Sequence, residues 1–120
     1  MCDVDIAGLQ DAIRQDQLFA SGHAAREALA DGINVDAVWA SLAQTAIEVI
    51  EDYPNEPRGP CCLLLCFVQG RPIHTVISYP SKRYAAQRQV NSLAFMVTIY
   101  RPDLRPHEWT PDYRVRLPSP

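Results

Sequence analysis

The sequence predicts an α+β domain: N-terminal helices packed on one face of a four-stranded antiparallel meander sheet. Three observations carry this. Apolar residues recur at helical spacing through the first third of the chain, and period-two alternation takes over after it. The strand-like runs then follow one another with short connections. Helices first and neighbouring strands after is the order of an antiparallel sheet covered on one side.

Residues 1–45 form the expected helical part. Ile6, Leu9, Ile13 and Leu18 recur at near-helical spacing, with Asp3 or Asp5 placed to cap the start. Ser21 offers a fresh N-cap for "HAAREALADG", which ends at Gly32, a good C-cap. A third helix begins at Asn34 in "NVDAVWASLA", with Val35, Val38 and Leu42 on one face.

The expected sheet occupies 46–101. "AIEVIEDY" alternates imperfectly and stops at the Pro-rich break "PNEPRGP". The runs 61–69 and 72–79 meet at a Gly-containing tight hairpin, and "SLAFMVTIY" (92–100) supplies the fourth strand. Pro102 and Pro106 open a Pro-rich tail, 102–120, and the whole chain is read as a single domain, 1–120. On the third strand His74, Val76 and Ser78 share one face, opposite Ile73, Thr75 and Ile77. On the fourth, Phe95, Val97 and Ile99 oppose Met96, Thr98 and Tyr100. The more apolar set should face the helices, which leaves His74 and Tyr100 together on the other side, open to solvent or a ligand.

Composition narrows the function classes. A hydrophobic share of 48% and a charged share of 21% are those of a globular chain. The longest apolar run, Cys61 to Val68, is far too short to span a bilayer, and the start does not resemble a signal peptide, so a cytoplasmic, membrane-free protein is expected. Cys61, Cys62 and Cys66 lack the spacing of a zinc knuckle; small buried thiols are expected, and neither metal nor cofactor. Charge is uneven along the chain. Residues 1–56 hold eleven acids against Arg14 and Arg26, whereas 57–101 hold six bases and no acid. Those six, Arg58, Arg71, Lys82, Arg83, Arg88 and Arg101, are candidate RNA-binding residues, since such a composition suits a surface facing an anion.

The segments "SGHAAREALADGINVDAVWASL", "EVIEDYPNEPRGPCCLLL", "GRPIHTVIS", "VTIYRPD" and "EWTPDYRVR" together resemble the bacterial family called domain of unknown function 4258. The resemblance runs in order from Ser21 onward. It implies a fold similar to RelE and MqsR toxins and the wider barnase–RelE-like ribonuclease group. By the same resemblance, the chain is expected to be the toxin of a bacterial toxin–antitoxin module. Its cognate antitoxin is then a small protein, of the kind that carries a zinc-finger or helix-turn-helix domain. RelE-type toxins are usually strongly basic, whereas this chain has a pI near 5.5.

A metal-independent endoribonuclease must deprotonate a 2′-hydroxyl, stabilise a phosphorane and protonate a leaving 5′-oxygen. Histidine suits the proton steps and arginine the phosphorane. His23 and Arg26 lie three apart on one helix face, where the family carries its "HAxxR" pattern. His23 is therefore the first candidate for proton transfer, and Arg26 for phosphate contact or for orienting it. His74 is the second candidate acid or base, with Tyr100 beside it to donate to phosphate or stack a base. The expected substrate is mRNA, free or on the ribosome. The competing expectation is a non-catalytic protein-binding module with the same fold, favoured by the acidic helical half.

Overall fold

The computed structural model describes residues 9–10, 13–14, 18–44, 47–56, 60–78 and 94–118. Among the described residues the elements run β1 (Leu18–Ala20), α1 (Gly22–Asp31), α2 (Val35–Gln44), β2 (Glu48–Tyr53), β3 (Cys61–Val68), β4 (Arg71–Ser78) and β5 (Ala94–Tyr100). A 3-10 turn, Pro102–Leu104, starts the tail. The sheet order is β1-β5-β4-β3-β2, with β2 to β5 antiparallel neighbours and β1 parallel to β5. The α+β meander expected from sequence is what forms. The short edge strand β1 is an addition: Leu18, expected on a helix, pairs with Ala94 instead.

Local chemistry sets the helix ends. Ser21, extended at φ −66° and ψ 161°, accepts the Ala24 N–H through its side chain. At the other end Gly32 takes the left-handed conformation (φ 67°), and the Ile33 N–H reaches back to the Ala28 carbonyl at 2.8 Å. That is a Schellman ending, with Ile33 buried against the core. Asn34 caps α2 through the Ala37 N–H. Leu9 and Ile13, in helical conformation, are buried in the same core.

The core lies between the helices and one face of the sheet. Ala24 and Ala28 of α1 and Val38 and Leu42 of α2 pack on Cys62, Leu64, Ile73, Ile77, Met96 and Ile99. Alanines on α1 let it sit close to β5, and it covers the free part of that strand's edge. Glu27 accepts the Ile99 N–H at 3.3 Å and Asp31 the Arg101 N–H at 2.9 Å. Four helical residues rise about 6 Å, nearly the advance of two strand residues, so carboxylates at i and i+4 match successive outward amides. A helix thus does the work of an edge strand.

Two bulges correct the period-two reading. Between Val76/Ile77 and the facing strand the register shifts at Val97. Met96 and Ile99 consequently both face the helices, while Phe95 and Val97 are 48% and 42% exposed. A second shift between Val49 and Glu51 explains the imperfect alternation of β2. It brings Glu48 and Glu51, facing Leu65 and Leu63, to the helix-free side. The hairpin turn is Gln69–Gly70, both at positive φ (53° and 77°), one residue earlier than expected.

Candidate functional site

The helix-free face is built from aligned rows across β2 to β5. Glu48, Leu65, His74 and Tyr100 form one row; Glu51, Leu63, Val76 and Thr98 form the next. After Pro102 the tail folds back over this face, and an antiparallel bridge between Trp109 and Arg116 holds it as a hairpin. Between tail and sheet lies a groove of about 250 Å3. Leu63, Val76 and Thr98 floor it, Tyr53, Tyr100 and Trp109 wall it, and Arg105, Glu108 and Arg116 of the tail rim it.

Ion pairs fix the tail. Arg116 bonds Glu51 at 2.9 Å and lies 4.6 Å over the Trp109 ring; Arg114 bonds Glu48. Arg105 bonds Asp31 at 2.9 Å and stacks on Tyr100 at 5.0 Å. The hydrogen bond from Arg116 holds the Glu51 carboxyl below its ordinary value despite burial. Burial pushes Asp31 up, but the Arg105 hydrogen bond and the Arg101 N–H outweigh it and leave it lowered. Burial, then the hydrogen bond to Glu51, pushes Tyr53 up to about 12; burial foremost takes Tyr100 up to about 12.

His74 is at the centre of this face and is 0% exposed. Its Nε2 lies 2.8 Å from the Tyr113 carbonyl, which only accepts, so Nε2 carries the proton. Nδ1 is then the acceptor for the Tyr100 hydroxyl at 3.1 Å. The ring meets Trp109 edge-on at 4.3 Å. Burial lowers its pKa below histidine's ordinary value, which leaves it neutral at pH 7. The expected face was right and the expected openness was not: the tail seals the imidazole and both nitrogens are occupied. Tyr113 itself sits at φ 65°, a conformation side chains rarely take, and its carbonyl is the group that grips His74.

His23 is the opposite case. Its side chain is 64% exposed on the first turn of α1, and Nε2 lies 3.2 Å from Glu27 Oε1. That oxygen also takes the Thr98 hydroxyl and the Ile99 N–H, so the carboxylate is pinned before it reaches the imidazole. Thr98 lines the groove, so one carboxylate links His23 to a groove residue without His23 itself lining the groove. Arg26 is exposed and has no ion pair among the described residues; its guanidinium passes 3.5 Å from where a side chain on Gly22 would begin.

Among the described residues, no base of the acid-free stretch lines the groove. Arg71 pairs with Asp103 at 3.3 Å. Arg101 donates to the carbonyls of Asp31 and Gly32, closing the C-terminus of α1. Both therefore have protein partners, and the Arg71 side chain is still 52% exposed. Arg58, Lys82, Arg83 and Arg88 lie outside the described residues. The cations that do rim the groove, Arg105 and Arg116, come from a tail whose charges balance in the sequence. Glu27 was equally missed, although its i, i+4 spacing from His23 was legible. Cys66 is buried, which pushes its thiol up to about 12 and leaves it inert. Among the described residues no group of three or more His, Cys, Asp or Glu converges as a metal set would. No helix among them is long and apolar enough to cross a membrane.

The family model described as Domain of unknown function (DUF4258) matches residues 20–101, and the chain belongs to that family. No curated protein and no solved structure matches it.

Proposed function

We propose that this member of the DUF4258 family is a metal-independent endoribonuclease of the toxin kind, with His23 as its proton-transfer residue. One observation carries the reading: an exposed imidazole held by a carboxylate that also bonds Thr98, a residue of a groove lined by aromatic rings. A carboxylate on one ring nitrogen fixes the tautomer, while the side chain stays 64% exposed. His23 takes the proton of a ribose 2′-hydroxyl. O2′ attacks phosphorus, the P–O5′ bond breaks, and the departing 5′-oxygen is protonated from water. The products are a 2′,3′-cyclic phosphate and a 5′-hydroxyl. Arg26 meets the phosphate, and Tyr100 stacks a base. His74 acts through Tyr100, holding that ring in place. Its substrate is taken to be mRNA, and an antitoxin that covered the helix-free face would silence it.

A second reading has its own support. Arg105, Arg114 and Arg116 are each paired with a carboxylate. That suits a binding module that engages a protein rather than RNA. Incubation of the purified chain with a short single-stranded RNA in EDTA separates the two. The nuclease reading expects fragments ending in 2′,3′-cyclic phosphate; RNA left intact at stoichiometric protein would favour the binding module.

A further inference from the structure

We propose that the groove on the helix-free face is a pocket for a single guanine base; the inference rests on the ribonuclease reading for its setting. Its volume, about 250 Å3, lies below the roughly 300–1,000 Å3 of sites for drug-sized ligands. One ring system fits. An aliphatic floor of Leu63 and Val76 between Tyr53, Tyr100 and Trp109 favours a flat, aromatic occupant.

The rim decides which base. Glu108 lines the groove, and its charge bears on both neighbours there, raising Tyr100 and Arg105. Glu48, Glu51 and Asp31 each hold an arginine, but the Glu108 side chain has no partner among the described residues. Arg105 spends only Nη1 on Asp31 and the Arg101 carbonyl, so Nε and Nη2 remain as donors. A free carboxylate beside a free pair of guanidinium donors is complementary to guanine. An ionised carboxylate only accepts, and it pairs bidentately with two adjacent N–H donors. Guanine offers these at N1 and N2, and its O6 and N7 accept from arginine. Adenine and cytosine turn a ring-nitrogen acceptor toward the carboxylate, and uracil has one N–H between two carbonyls. Each would leave a repulsive contact at Glu108.

The test is titration of the full chain with guanosine, adenosine, cytidine and uridine 5′-monophosphates, with ribose 5-phosphate as control. GMP should bind at least about tenfold tighter than the other three. Glu108→Gln, a change at an exposed side chain, should abolish the preference. Equal affinity for all four nucleotides, or a preference untouched by Glu108→Gln, overturns the pocket. The two proposals fail separately. Cleavage with no base preference removes the guanine pocket and keeps the nuclease; GMP selectivity without cleavage keeps the pocket and removes the nuclease.

Discussion

Two histidines, 51 residues apart in the chain, have opposite surroundings. His23 stands on the first turn of α1 with its side chain 64% exposed and one nitrogen against Glu27. His74 lies under the tail at 0% exposure with both nitrogens bonded. The difference teaches that a histidine on a polar sheet face need not be available. What decides is whether a later segment covers it, and here the tail beyond the last strand does so. One imidazole is presented, with a carboxylate behind it. The other is a structural joint between β4, Tyr100 and the tail.

That contrast can be broken by substitution. The largest effect on stability is expected at the joint. His74→Ala leaves the Tyr113 carbonyl and the Tyr100 hydroxyl without their partner and opens a cavity beside Trp109. A loss of about 2–4 kcal/mol is expected in urea unfolding. A loss under about 0.5 kcal/mol would show the tail is not seated on this ring. His23→Ala, on an exposed turn, should cost less than about 0.5 kcal/mol.

Next in size is the carboxylate behind His23. Glu27→Gln keeps the shape and removes the charge, so RNA cleavage should fall about tenfold. Unchanged cleavage would detach Glu27 from the reaction. Arg101→Ala comes after it: the α1 carbonyls of Asp31 and Gly32 lose their donor, for about 1–2 kcal/mol by thermal unfolding. The smallest effect is in the pH dependence. Because burial lowers the folded-state pKa of His74, the unfolded chain binds more protons below histidine's ordinary value of about 6.5. His74 therefore makes stability fall as pH drops below that value. The slope should be shallower in His74→Gln, which retains a donor and an acceptor but does not titrate.

Much of this architecture was legible in the sequence. Ser21, Gly32 and Asn34 announced the helix ends, and period two put His74 and Tyr100 opposite each other, where they pair. The bulge at Val97 was not legible, because an extra residue leaves no compositional mark and inverts the phase of what precedes it. The tail was the larger gap. Its prolines read as the end of regular structure, yet Trp109, Tyr113 and Arg116 pack back on the sheet through contacts 35 to 65 residues distant in sequence. Long-range packing of this kind has no period to read. For the same reason the groove's cations were sought in the acid-free stretch and are found in the charge-balanced tail.

The division of labour between the two imidazoles is tested most directly by the cleavage rate of His23→Ala on single-stranded RNA, beside the wild-type chain, with both shown folded by circular dichroism. The account expects a fall of at least about a hundredfold, the contribution of a positioned proton-transfer group. Cleavage by His23→Ala at the wild-type rate would contradict it.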